Sequence, residues 1–172
     1  MNELAILMQI MSNKKDIHTI GATKKEILQT LDIRNKNKSI YFQNLISNLS
    51  EYIEPLGLQV RYNPLNSHWF LTHDSDISDL IKANPFNNKP SLAATLFYTL
   101  VNCFKNSNGI TTIPEIKQLR NIKNINQDLK ELQKLGYVEL NKNSKEVTLS
   151  PLIGYQFNLE KLLIKLALKT KE

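Results

Sequence analysis

The stretch from Gly109 to Ser150 leaves this chain few ways to fold. Thr112 stands three residues before Glu115, with Pro114 between them. That is capping-box spacing, in which a hydroxyl and a carboxylate each satisfy a backbone N–H that the first helical turn would otherwise leave orphaned. Ile125, Leu129, Leu132 and Leu135 then recur at steps of four, three and three, which places them on one face of a second, longer helix. Gly136 predicts the stop, because glycine takes the left-handed conformation past a helix end without a Cβ clash. Tyr137–Leu140 and Glu146–Leu149 read as strands about the turn Asn141-Lys142-Asn143-Ser144-Lys145. Helix, turn, helix and hairpin form the winged-helix plan, which constrains the fold far more than the ligand.

The same order of parts occurs earlier. Thr23 and Glu26 repeat the capping-box spacing ahead of Ile27, Leu28 and Leu31. A long helix is predicted over 37–54, with Tyr41 or Phe42, Leu45, Leu49 and Ile53 toward the core. Leu56-Gly57-Leu58 parallels Leu135-Gly136-Tyr137, and Leu58–Tyr62 with His68–Leu71 forms a second hairpin. One matched cap is weak on its own; the shared order argues for a tandem repeat. Leu4, Leu7, Met8 and Met11 predict a helix over 3–12 in front of the first unit. Asp74-Ser75-Asp76 caps a short helix to Ala83. Residues 84–90 form a linker, since Pro85 and Pro90 resist helix and strand alike. Ser91 caps a helix with Leu92, Leu96, Leu100 and Phe104 on one face. Asn158 caps a C-terminal helix with Leu159, Leu162, Leu163 and Leu166 on one side and Lys161, Lys165 and Lys169 on the other. The expected chain is mainly α with small β-hairpins (α+β). It comprises two tandem winged-helix domains, 1–83 and 91–172, the second including the C-terminal helix.

Composition narrows the function classes. Of 172 residues 41% are hydrophobic and 22% charged, enough apolar material for packed cores. No run of eighteen apolar residues spans a membrane, and the N-terminus reads as an amphipathic helix and not as a signal peptide. Cys103 is alone, so an intrachain disulfide or cysteine-based zinc site is excluded and a cytoplasmic protein is expected. His68 and His73 lie five apart, which is no standard metal spacing, and no glycine-rich phosphate loop is present. Neither an enzyme nor a cofactor is expected.

The net charge of +6 is uneven: residues 1–83 balance nine Lys/Arg against nine Asp/Glu, whereas 84–172 hold thirteen against seven. A helix-turn-helix presents its second helix to nucleic acid. In the second unit that helix offers Lys123, Asn124, Gln127, Lys130 and Lys134, with Lys142 and Lys145 on the wing; Asp128 and Glu131 interrupt it. In the first unit Arg34, Lys36 and Lys38 gather at the long helix's start and Arg61 lies on a strand. The expectation is weak, salt-sensitive phosphate contact, with a solvated face as the plain alternative. Apolar surface also exceeds what two small cores need. Leu4, Leu7, Met8, Met11, Trp69 and Phe70 form one stripe and Leu159, Leu162, Leu163 and Leu166 another, each fit for core or for interface.

With both units placed, the chain resembles the segregation-and-condensation protein B family (ScpB), kite-type tandem winged-helix subunits of SMC–kleisin complexes. The resembling stretches are E-L-A-I-L-M at the first helix, Y-I-E-P-L-G-L-Q-V-R-Y with N-S-H-W-F-L-T at the first hairpin, and K-P-S-L-A-A-T-L-F-Y-T-L-V after the linker. G-I-T-T-I-P-E-I-K-Q-L-R-N and L-K-E-L-Q-K-L-G-Y-V-E-L complete the set. Asn66-Ser67 stands where bacterial members carry Gly-Gly, and Val147–Pro151 replaces their Gly-Arg-Pro…Tyr-Gly-Thr-Thr segment, as in a divergent or archaeal-type member. The resemblance implies a non-enzymatic subunit on the nucleoid, a homodimer through the first unit, and an amphipathic kleisin (ScpA-like) segment held by the second unit with the C-terminal helix. SMC is then reached through the kleisin, and ATP hydrolysis belongs to SMC. Two other classes stay open: a DNA-binding transcription regulator or replication initiator, and an enzyme-associated interaction module.

Overall fold

The computed structural model describes residues 2–16, 18–33, 37–73, 86–122, 125–141, 143–162 and 164. The helix expected over 74–83 and the first two linker residues lie outside them. The chain divides into two compact units: Met1–Ala83 together with Gly154–Glu172, and Asn84–Ile153.

The first unit opens with α1 (Glu3–Ser12), whose N-cap Asn2 accepts from Ala5 N. Gly21, at φ +77°, then turns the chain where a Cβ would run into the Trp69 carbonyl. β1 (Ala22–Thr23) leads into α2 (Lys24–Thr30), and Thr23 and Glu26 close the capping box. α3 (Lys38–Ile53) buries Phe42, Leu45, Leu49 and Ile53. Between the two candidates at its start, Phe42 turns inward, while Tyr41 is half-buried and its hydroxyl donates to Glu3 Oε2 at 2.7 Å. A 3-10 turn (Glu54–Leu56) ends at left-handed Gly57, φ +68°. β2 (Leu58–Asn63) and β3 (His68–His73) form the wing, giving an antiparallel sheet of order β1-β3-β2 with Ala22 opposite Trp69 and Arg61 opposite Phe70.

The second unit repeats that order. α4 (Pro90–Lys105) buries Leu92, Leu96, Leu100 and Cys103; Phe104, expected on that face, is 36% exposed. Ser91 is not the cap: Lys89 takes that position and the helix starts at Pro90, two residues earlier than a Ser91 cap would give, since proline fits a first turn that needs no N–H. β4 (Ile110–Thr112) precedes α5 (Ile113–Arg120), which carries the Thr112–Glu115 capping box. α6 (Ile125–Lys134) buries Ile125, Leu129 and Leu132, whereas Leu135 falls in the turn after it and is 37% exposed. β5 (Val138–Asn141) and β6 (Glu146–Leu149) complete a sheet of order β4-β6-β5. Helix, strand, two helices and a two-stranded wing, met twice in the same order, make the chain an α+β protein of two winged-helix units.

The C-terminal segment departs from expectation. α7 (Leu152–Gln156) carries the chain out of the second unit, and from Gly154 onward it belongs to the first. The cause is a dense set of contacts with the first wing. The Tyr155 hydroxyl accepts from Ile20 N at 3.0 Å and from Asn66 Nδ2 at 2.7 Å, and donates to Ile20 O at 3.0 Å. Its ring meets Phe70 edge-on, 4.8 Å between centroids. Leu159 is 2% exposed, and Asn158 caps the helical residues that follow it by accepting from Lys161 N.

Candidate docking and nucleic-acid surfaces

In the second unit the helix-turn-helix is α5–α6, and its polar side chains sort into two sets. One set is turned toward α4. Asp128 Oδ2 accepts from Ser91 Oγ at 2.8 Å and Thr95 Oγ1 at 2.7 Å. Arg120 adds Nη2 bonds to the Ser91 carbonyl and hydroxyl at 3.2 and 3.0 Å, and an Nε bond to Thr95 Oγ1 at 3.3 Å. Thr95 is fully buried, so this network ties all three helices of the unit together. Glu131 pairs with Lys89 at 2.6 Å. Of the two acids expected to interrupt the reading face, Asp128 turns away from it, whereas Glu131 borders it and is paired there with Lys89.

The other set faces solvent: Asn126, Gln127, Lys130, Gln133 and Lys134 are all exposed. At roughly 100° per residue, Gln127, Lys130 and Lys134 share an arc of about 60° opposite Ile125, Leu129 and Leu132, while Asp128 flanks the apolar side. That helical-wheel position was available in the sequence and would have shown the acid turning inward. Lys145 is exposed in the wing turn at φ 55°, and its carbonyl accepts from Ile113 N at 3.0 Å, which ties the turn to the start of α5. Lys123, Asn124 and Lys142 lie outside the described residues.

In the first unit only Lys38 of the expected cationic set is described and exposed; Arg34 and Lys36 are outside the described residues. Lys38 joins Lys24 and Lys25 around an open cleft of about 590 Å³ floored by Leu28 and Ile33. Lys24 is partly engaged already, donating to Ser39 Oγ at 3.0 Å and lying 5.3 Å above the Phe42 ring. Arg61 is engaged within the first unit. Its guanidinium lies 5.5 Å over the Phe70 ring, Nη2 donates to Gly154 O at 3.4 Å, and burial lowers its pKa from the usual arginine value.

The apolar stripes also resolve. Leu7, Met11 and Phe70, expected at an interface, are 0%, 0% and 2% exposed inside the first unit's own core and offer a partner nothing. Leu4, Met8 and Trp69 are partly buried against that core, and Trp69 packs on Phe42 and Tyr62 at 5.3 and 5.1 Å. Leu159 is likewise spent on the fold; Leu162 is half-buried, and Leu163 and Leu166 fall outside the described side chains. The apolar side chains left to solvent are ones the periodicity did not single out as surface. Among the described residues they are Ile40 near the start of α3, Tyr52 and Leu56 at its end and 3-10 extension, at 59%, 60% and 63%, Tyr62 on the first wing, Ile164 near the chain end, and Phe104, Leu119 and Leu135 on the second unit.

Among the described residues no cluster of three or more His, Cys, Asp or Glu is placed to hold a metal ion, and no helix is long and apolar enough to cross a membrane. Cys103 is buried; desolvation pushes its thiol up to about 11, the opposite of an activated nucleophile. His68 Nδ1 lies 2.7 Å from Asn66 O, within the hairpin that carries it.

No protein-family model matches the chain, and no curated protein does. Among solved structures, the chain is similar to a chain of an Nse1-Nse3-Nse4 complex, with TM-score 0.38 and 12% identity, over 75% of this chain and 59% of that one. It thus spans less than two thirds of that neighbour's length. It is also similar to a conserved hypothetical protein from Chlorobium tepidum, with TM-score 0.36 and 12% identity, over 88% and 93% of the two chains. A third similarity is to ScpB from Mycobacterium tuberculosis, with TM-score 0.33 and 11% identity, over 86% and 88%. Likeness at these scores fixes neither partners nor activity, and the winged-helix assignment rests on element order and strand pairing. One of the three neighbours bears the name of the family that the sequence resembles.

Proposed function

We propose that the chain is a non-enzymatic accessory subunit of an SMC–kleisin complex, acting on the chromosome. In this reading the first unit pairs with a second copy, and the second unit holds an amphipathic kleisin segment. The observation that carries it is the doubled winged-helix order, capping boxes included, in a chain whose sequence resembles ScpB over nearly its whole length. In this reading the contacts fall on apolar side chains that the fold leaves exposed. Ile40, Tyr52 and Leu56 are the free apolar groups for pairing, and Phe104, Leu119 and Leu135 are those for the kleisin. Light scattering on the purified full chain tests the pairing. A dimer that Tyr52→Asp with Leu56→Asp converts to monomer is expected, and a strict monomer at high concentration contradicts it.

A further inference from the structure

We infer that the cleft between α2 and the start of α3 in the first unit binds an acidic peptide, with one aliphatic or aromatic side chain of that peptide seated on its floor. The floor is built by the way α2 ends. Asp32 stands just past the helix in the left-handed conformation, φ 50°. Its N–H donates to Gln29 O at 3.1 Å, and the Ile33 N–H donates to Leu28 O at 3.0 Å, the paired bonds of a Schellman motif. That motif brings the side chains at its two ends together, and here they are Leu28 and Ile33, both of which line the cleft. Leu28 is buried and Ile33 is half-buried against the unit's core, so the floor is formed before any ligand arrives.

Cations edge this floor. Lys24, Lys25 and Lys38 line the cleft with one acid, Asp32, although residues 1–83 as a whole hold equal numbers of each charge. Lys24 is steadied by its bond to Ser39 Oγ at 3.0 Å and by the Phe42 ring beneath it. Lys25 and Lys38 are exposed, and among the described residues neither forms an ion pair. The combination selects the ligand. A volume of about 590 Å³ accommodates one large side chain with the backbone on either side of it. The apolar floor favours burial of an aliphatic or aromatic group, and the unpaired ammoniums at the rim favour carboxylates next to that group. A nucleic-acid duplex would lay phosphates across Leu28 and Ile33 and against Asp32, gaining nothing from the floor. The cleft shares no residue with the exposed groups assigned to pairing or to the kleisin, so this contact stands or falls apart from that reading.

The test is an amide chemical-shift titration of the isotope-labelled full chain, at about 50 mM salt to limit screening, with a set of short peptides that each carry Leu, Ile or Phe between pairs of Glu. Saturable shifts at the Leu28 and Ile33 amides are expected with at least one of them. The same peptide with Ser in place of its apolar residue should give none, which tests the floor without altering the protein. Lys25→Ala with Lys38→Ala should weaken binding roughly tenfold, as loss of two exposed ion pairs does. Lys130→Ala with Lys134→Ala, an equal loss of charge at exposed sites of the second unit, should leave it unchanged. Circular dichroism checks that these exposed substitutions leave the fold intact. Absence of saturable shifts at Leu28 and Ile33 with every peptide, equal binding of the Ser peptide, unchanged binding by the Lys25 and Lys38 variant, or tighter binding of a random-sequence DNA duplex at the same amides would each overturn the inference.

Discussion

Tyr155→Phe isolates the contact that returns the chain end to the first unit. The substitution keeps the ring, and with it the 4.8 Å edge-on packing on Phe70, but removes a hydroxyl engaged in three hydrogen bonds with Ile20 N, Ile20 O and Asn66 Nδ2. At roughly 0.5–1.5 kcal/mol each, three bonds sum to about 1.5–4.5 kcal/mol. The site is only partly buried, so water recovers some of this and the expected loss is about 1–3 kcal/mol. Trp69 is the sole tryptophan and sits in the first unit, packed on Phe42 and Tyr62, so its fluorescence reports that unit alone. Urea unfolding followed at Trp69 should shift to lower midpoint, and the Ile20 amide should exchange faster with solvent. Truncation after Ile153 should lower the same midpoint at least as far. An unchanged midpoint together with unchanged exchange at Ile20 would refute the reasoning, since the hydroxyl would then be holding nothing.

Three further outcomes follow from the geometry. Gly154→Ala would ordinarily favour a helix by about 1 kcal/mol; here the new Cβ falls inside the buried Asn63 carboxamide, whose Oδ1 accepts from Leu65 N, so a net loss of about 1–3 kcal/mol is expected by thermal unfolding. Thr23→Ala and Thr112→Ala should each cost about 1 kcal/mol through loss of a capping box, measured by denaturant titration of the respective unit. Glu26 is held down to about 2, first by the Lys15 ammonium at 2.5 Å and then by the Thr23 N–H. Its folded pKa is depressed, so its contribution is complete above the usual carboxylate range and is lost as pH falls through that range toward 2. Glu26→Gln should flatten this part of the stability-versus-pH curve, by a small amount because the pair is well exposed.

What the sequence made legible was local. Both capping boxes join residues three apart, and both helix stops rest on the conformational freedom of one glycine, so no distant contact is needed to read them. β1 and β4 were missed because two or three residues are too short to show a period; Ala22-Thr23 is a strand only because Trp69 and His68 lie opposite. The stripe of Leu7, Met11 and Phe70 was visible, but periodicity cannot tell a core face from an interface. Assignment of the chain end to the first unit depends on Tyr155 meeting Ile20, 135 residues away, and nothing in the local pattern around Tyr155 announces it. Asp128 misled because a linear list of polar residues ignores the angle at which each leaves the helix.

The most direct measurement is affinity capture of the tagged full chain from its source cells, with the recovered proteins identified by mass spectrometry. The account predicts a kleisin and an SMC ATPase in near-stoichiometric amounts, both lost when Leu119 and Leu135 are replaced by Asp in a chain that still folds. Recovery of the chain with neither, under conditions that keep SMC complexes intact, would contradict it.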